Sequence, residues 1–146
     1  TVAVLAVGGG DGGDGCGGGW QVLHLTGSGD EAAAVASAYE AHGVSAVVLE
    51  YTEFMAEAMA VADLVVSRAG ASLLAEIGAM GKPAILLPYP HHRDQHQLKQ
   101  AEVLASSGAA CVVVDRIEPA LVAGGLERPL LELLTDVSAL GRMQAA

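Results

Sequence analysis

The sequence is poor in aromatic and basic side chains. Aromatic residues make up 3% of the 146 residues, so the core must be built from Ala, Val, Leu and Ile. Such side chains favour close packing of helices on a sheet. Seven basic residues stand against 17 acidic ones, which gives a net charge of −10. This charge argues against a nucleic-acid partner, which needs a basic face, and against docking of this segment by itself on anionic lipid.

Cysteine and long apolar runs are also scarce. Cys16 and Cys111 lie far apart in sequence, which predicts two free thiols in a reducing compartment and neither a disulfide framework nor a metal cluster. No apolar run reaches the roughly 18 residues that a membrane span needs. The first residues lack the basic start of a signal peptide. We therefore expect a soluble chain with no direct membrane insertion, although it can belong to a membrane-associated assembly.

Short apolar runs and helical segments alternate along the whole chain. Hydrophobic residues make up 52% of it, enough for one domain that spans residues 1–146. Strands are predicted at residues 2–7, 21–25, 45–50, 63–67, 84–87 and 110–114, the first of them as a buried parallel strand. Helices are predicted at residues 30–42, 53–62, 71–80, 94–107, 119–134 and 136–144, with Gly43, Gly81 and Gly108 just past three of their ends. The alternation predicts a Rossmann-like α/β fold, a doubly wound parallel sheet of about six strands.

Five loops follow predicted strands. They are residues 8–19, 26–29, 50–55, 68–72 and 89–97. Ligands bind outside the carboxyl ends of the strands in such sheets, so we expect these loops to converge on one crevice. The first loop opens with Gly8, Gly9 and Gly10 and resembles a phosphate loop, but it lacks a P-loop lysine and the spaced dinucleotide pattern. A binding role for it and a plain flexible connection both remain open.

The segment from Arg68 to Glu76 (RAGASLLAE) joins a strand to a helix. Gly70 allows the backbone to approach a ligand closely, and Ser72 is a plausible N-cap. A diphosphate here would meet free N–H groups and the positive end of the helix dipole. Glu76 shares a helix face with Ser72, where its carboxylate can accept hydrogen bonds from both ribose hydroxyls. The alternatives are an ordinary turn with a capping serine and a solvated glutamate.

Residues 89–97 (YPHHRDQHQ) gather polar side chains at the start of a helix. Asp94 can cap that helix, with Gln97 three positions later in a capping-box arrangement. The histidines at 91, 92 and 96 suggest zinc, but their spacing matches no common zinc motif and no second ligand cluster occurs elsewhere. Recognition of sugar hydroxyls by Gln and Asp fits better, so we expect no metal.

These motifs together resemble the MurG-type N-acetylglucosaminyltransferases. The matching stretches are RAGASLLAE at 68–76, GKPAILLPYP at 81–90, DQHQ at 94–97, EFM at 53–55, VGG at 7–9 and LHLTG at 23–27. The resemblance covers nearly the whole chain and implies the C-terminal, donor-binding half of a GT-B fold. It implies UDP-GlcNAc as donor, inversion at the anomeric carbon, and no cofactor or metal.

The resemblance also assigns residues by position. The implied donor-binding residues are Gly9, Gly10, Tyr51, Thr52, Met55, Arg68, Gly70, Ala71, Ser72, Leu73, Glu76, His96 and Gln97. Those at 51–55 would lie on the uracil side, those at 70–73 on the phosphate side, and Glu76 at the ribose. His96 and Gln97 would contact the GlcNAc hydroxyls. Catalytic residues and the site for the lipid-linked acceptor are expected in an N-terminal domain that this chain lacks. The whole enzyme would act on lipid I at the cytoplasmic face of the plasma membrane.

The chain departs from the family pattern in its first loop. Gly8, Gly9 and Gly10 stand where the family has Gly-Gly-Ser, and a glycine-rich stretch up to Trp20 replaces the helix that normally follows. Leu73 stands where threonine is usual, and Gln100 where asparagine is usual. Three hypotheses remain: part of a full transferase, a donor-binding subunit of a split GlcNAc transferase, or a non-catalytic nucleotide-sugar-binding domain.

Overall fold

The computed structural model describes residues 2–7, 19–27, 31–90, 95–115 and 118–146. The chain divides into two compact units, Thr1–Asp63 and Leu64–Ala146. The first unit contains β1 (Val2–Val7), β2 (Trp20–Leu25), α1 (Glu31–Ala41), β3 (Ser45–Leu49) and α2 (Met55–Val61). The second contains β4 (Leu64–Ser67), α3 (Ala71–Ala79), β5 (Ala84–Leu86), α4 (His96–Ser106), β6 (Ala110–Val112), α5 (Pro119–Thr135) and α6 (Val137–Gln144).

The second unit is a regular β-α-β-α-β arrangement. β4, β5 and β6 pair in parallel, and β5 lies in the middle. Ala84, Ile85 and Leu86 of β5 are completely buried, as expected for a parallel strand whose two faces are both covered. Alternating strands and helices with parallel pairing confirm the predicted Rossmann-like α/β class.

Glycines end helices where the sequence predicts it. Gly43 after α1 and Gly81 after α3 adopt left-handed backbone angles, with φ of 67° and 58°. At α3, Lys82 N donates to Ile77 O at 3.0 Å and Gly81 N donates to Gly78 O at 3.3 Å. This pair of bonds is the Schellman motif, which satisfies the last carbonyls of the helix. The same two bonds recur after α1, from the amides of residues 44 and 43.

The first strand runs opposite to the prediction. β2 and β3 pair in parallel, but β1 pairs with β2 antiparallel, with Val2 opposite Leu25. The predicted parallel strand at residues 2–7 is therefore wrong. A parallel neighbour needs a crossover, usually a helix, and the glycine content between β1 and β2 disfavours a helix there. Residues 8–18 of that connection lie outside the described residues.

One face of β3 is exposed. Val47 and Leu49 point to the same side of the strand, and 57% of the surface of Val47 is accessible. His24 lies on the neighbouring strand β2, on the face of the sheet opposite to Val47. Its Nδ1 lies 3.0 Å from the Tyr39 hydroxyl of α1, and the two rings meet edge to face. This partial burial lowers the pKa of His24 below its usual value of 6.5. α1 thus packs against one side of this unit's sheet and leaves apolar side chains of β3 accessible on the other.

Candidate functional site

The loop after β4 leads directly into α3. Gly70 is the N-cap, with no side-chain cap, and the helix begins at Ala71. The predicted N-cap Ser72 is therefore wrong, because Ser72 is the second residue of the helix. The amide of Leu74 bonds to Gly70 O at 3.0 Å. The amides of the three preceding residues, Ala71, Ser72 and Leu73, have no acceptor within the helix, and they form the positive end of its dipole.

Nothing in the fold requires glycine at position 70. Its φ of −75° and ψ of 140° suit any residue. A Cβ built at Gly70 would meet no atom within 4 Å. The position is half-buried and leaves open space beside the first turn of α3. Space for a ligand at the first amides of α3 is a reason for glycine at this position, whereas packing and backbone angles give none.

Ser72 and Glu76 lie one turn apart on α3, and both are exposed. Ile77 of the same helix is buried, so α3 packs through one side and presents the other. The spacing brings residues i and i+4 to neighbouring positions, about 5–6 Å apart at Cβ. A hydroxyl and a carboxylate thus stand near the free amides on an accessible face.

Arg68 makes three contacts beyond its own loop. Its Nη1 pairs with the Asp115 carboxylate and lies 3.4 Å from Leu87 O, and its Cζ lies 5.7 Å from the centre of the Tyr89 ring. Sequence reasoning did not select Asp115, which is buried. The one signal available was an acidic residue just after the apolar run at 110–114.

The start of α4 is joined to the loop after β5. Gln97 Oε1 accepts a hydrogen bond from Tyr89 N at 2.9 Å. Helix α4 begins at His96 and its N-cap is Gln95, which forms no side-chain cap, while the predicted cap by Asp94 stays a prediction. Gln95 has a φ of 51°, a left-handed conformation that is strained for a non-glycine residue and that often occurs at ligand sites. Residues 91–94, Asp94 among them, lie outside the described residues.

A small cavity adjoins these contacts. It has a volume of about 170 Å³. Its lining residues are Pro88, Tyr89, Pro90, Gln95, Leu98, Val114 and Asp115.

In the first unit, the loops after β2 and β3 lie side by side. Thr26 N and Gly27 N donate to the carbonyls of Leu49 and Glu50 at 3.0 and 3.1 Å. In the second loop, the Thr52 hydroxyl accepts from Phe54 N at 3.1 Å, Tyr51 is exposed, and Met55 begins α2. The predicted residues Gly9 and Gly10 lie outside the described residues.

Metal-binding side chains are not clustered in the part of the chain that the structure describes, where no three His, Cys, Asp or Glu residues lie close enough to hold an ion. His91 and His92 fall outside that part, so the absence of a metal stays a prediction. Within the same ranges no helix has both the length and the apolar character to cross a bilayer.

Comparison with known proteins places this geometry in a family. The model of the glycosyltransferase family 28 C-terminal domain matches residues 14–146. The chain belongs to this family. Together with the relatives and the solved structure described next, this match confirms the predicted relationship to MurG-type enzymes.

Relatives and a solved structure agree with the family match. A UDP-N-acetylglucosamine–N-acetylmuramyl-(pentapeptide) pyrophosphoryl-undecaprenol N-acetylglucosamine transferase of Geobacter metallireducens is 45% identical over 116 residues, covering 80% of this chain and 31% of that protein. The transferase of the same name from Desulfitobacterium hafniense DCB-2 is 52% identical over 87 residues, 56% of this chain and 24% of the relative.

The crystal structure of Acinetobacter baumannii MurG superposes with a TM-score of 0.72 at 28% identity, covering 85% of this chain and 35% of that one. The chain spans about a third of the length of the Geobacter metallireducens transferase and of this solved structure.

Proposed function

We propose that this chain is the UDP-GlcNAc-binding part of an inverting N-acetylglucosaminyltransferase. The acceptor of the whole enzyme is the undecaprenyl-diphosphate-linked muramyl pentapeptide that the relatives' name describes. The observation that carries the proposal is the N-terminus of α3, where three free amides stand beside an open glycine cap.

The diphosphate of the donor binds at the amides of Ala71, Ser72 and Leu73. These amides and the helix dipole stabilise negative charge without a basic side chain. This suits a chain with a net charge of −10 in which Arg68 is already paired with Asp115. The same groups stabilise the charge that develops on the leaving diphosphate, so the reaction needs no metal.

The nucleoside and the sugar of the donor bind to residues on either side of the diphosphate. Glu76, one turn along α3, accepts hydrogen bonds from the ribose hydroxyls. His96 and Gln97 at the start of α4 contact the GlcNAc hydroxyls, and the Gln97 bond to Tyr89 N fixes its side chain in place. The remaining roles follow the family resemblance: Tyr51, Thr52 and Met55 on the uracil side, and Gly9 and Gly10 in the first loop.

Sugar transfer requires the N-terminal part of the enzyme. That part would bind the lipid-linked acceptor and supply the catalytic base at the cytoplasmic face of the plasma membrane. Because both substrates must be held in register for reaction, this chain alone binds the donor without transferring the sugar.

Calorimetric titration of the chain with UDP-GlcNAc, UDP and ADP tests the proposal. We expect both uridine nucleotides to bind and ADP not to bind. Glu76→Ala should weaken binding by about ten- to a hundredfold, because it removes hydrogen bonds to a charged acceptor. Glu102→Ala, an exposed glutamate on α4, is the matched control and should bind as the unaltered chain does.

Gly70→Ala separates ligand binding from folding. The added Cβ meets no protein atom, so the unfolding temperature should stay within a few degrees of the original. UDP affinity should nevertheless fall, since the Cβ occupies space at the phosphate site. If the folded, unaltered chain binds no uridine nucleotide, the proposal is wrong.

A non-catalytic nucleotide-sugar-binding domain is the second candidate. The antiparallel β1 favours it, together with the glycine-dominated connection where the family has a helix. Joining the chain to the N-terminal domain of a family enzyme distinguishes the two. Transfer of GlcNAc by the joined protein favours the transferase, and donor binding without transfer favours the second candidate.

A further inference from the structure

Arg68 and Asp115 join the segments that follow the first and the third parallel strands of the second unit. Arg68 directly follows β4, and Asp115 lies three residues beyond β6, with β5 between the two strands. Two strand spacings amount to about 10 Å, a distance that only a long side chain bridges. The side chain of Asp115 is 4% exposed and that of Arg68 is 45% exposed. The carboxylate is therefore largely removed from water, and the guanidinium compensates its charge.

The same guanidinium also contacts the segment after β5. Its Nη1 lies 3.4 Å from Leu87 O, and its Cζ lies 5.7 Å from the Tyr89 ring centre. One side chain thus connects the chain segments that follow all three parallel strands of the second unit. The planar guanidinium can face the Tyr89 ring while Nη1 donates to both oxygens, whereas a lysine ammonium is a compact charge without a planar surface.

The contact lies close to the proposed diphosphate site. Arg68 is two residues before Gly70, the N-cap of α3. The Ser67 hydroxyl donates to Arg68 O at 3.0 Å, so the backbone and the side chain at this point are both held. The direction of the first amides of α3 depends on where this short segment places the helix start.

We propose that Asp115 is a positioning residue for the donor site: it anchors Arg68, and Arg68 fixes the segment that sets the amides of Ala71, Ser72 and Leu73. Asp115 does not touch the ligand in this arrangement. The inference rests on the proposed function, because it assigns the residue that orders the same phosphate-binding amides.

The second unit offers a matched control pair. Arg142 Nη2 lies 3.3 Å from Asp136 Oδ2, and these side chains are 70% and 47% exposed. An exposed pair of this kind contributes little to stability, whereas removal of one partner from a buried pair leaves an uncompensated charge. Arg142→Met therefore shows the effect of losing an arginine from an exposed ion pair.

The test compares Asp115→Asn, Arg68→Met, the double variant and Arg142→Met in the full chain. Each is titrated with UDP and with uridine, well below its unfolding temperature. UDP carries the diphosphate and uridine does not. We expect Asp115→Asn to weaken UDP binding by about tenfold relative to uridine. The double variant should bind UDP no more weakly than Arg68→Met, because the two substitutions break the same contact. Arg142→Met should leave the ratio unchanged.

The outcomes separate this inference from the proposed function. If the unaltered chain and Asp115→Asn bind UDP equally well, the inference fails while the proposed function stands. An equal loss of UDP and uridine binding in Asp115→Asn also overturns it, because that pattern indicates general loosening. If the unaltered chain binds no UDP, both fail together. Should Asp115→Asn not fold, Arg68→Lys serves in its place; it keeps the charge and should still reduce the UDP-to-uridine ratio, and an unchanged ratio overturns the inference.

Discussion

The two units of the chain differ in how their strands are connected, paired and buried. In the second unit, each parallel strand is followed by a helix, and the middle strand is completely buried. In the first unit, the connection between β1 and β2 is rich in glycine, β2 runs antiparallel to β1, and Val47 on β3 is exposed. Strands that are joined by a helix thus pair in parallel. Where the sequence disfavours a helix between two strands, the strands pair antiparallel, and the same unit has an exposed apolar face.

Core substitutions should separate the two units most strongly. Ile85→Ala in β5 removes a fully buried side chain and should reduce the free energy of unfolding by about 2–5 kcal/mol. Val47→Ala in β3, also a β-branched residue in a strand, should change it by less than about 0.5 kcal/mol because the side chain is already exposed. Urea unfolding of both variants measures the difference. Equal losses would show that the exposed face of β3 is packed in solution.

Substitution of the glycine at a helix end should instead cost the same stability in both units. Gly43→Ala and Gly81→Ala each place a Cβ at a positive φ within a Schellman motif, so each should cost about 1 kcal/mol of stability. Gly78→Ala, inside α3 where a Cβ meets no atom within 4 Å, should raise stability by about 0.5–1 kcal/mol. Thermal unfolding of the three variants is the measurement. A much larger cost at one of the two helix ends would mean that its glycine has a role beyond the local turn.

The sequence predicts the elements better than their pairing. Apolar runs and glycine stops locate every described strand and helix to within about two residues, because both signals are local. The parallel direction predicted for β1 is wrong, since the apolar pattern of a buried strand carries no information on its neighbour. The cap predicted at Ser72 is wrong because cap propensity does not fix which residue begins the helix.

The candidate site is predictable only where its chemistry is local. Gly70, Ser72 and Glu76 lie within one loop and helix, so their spacing already indicates a shared site. The contact of Arg68 with Asp115 spans 47 residues, and the bond of Gln97 to Tyr89 joins a side chain to a backbone amide. Both depend on how strands line up at one sheet edge, which no local pattern contains.

The central claim is that the first amides of α3 bind the donor diphosphate. Titration of the ¹⁵N-labelled chain with UDP, followed by amide chemical shifts, tests it most directly, with uridine as the phosphate-free comparison. The account predicts that UDP shifts the amide signals of Ala71, Ser72 and Leu73 more than others in the second unit, and that uridine does not. Binding of UDP that leaves these three signals in place while shifting amides elsewhere would contradict it.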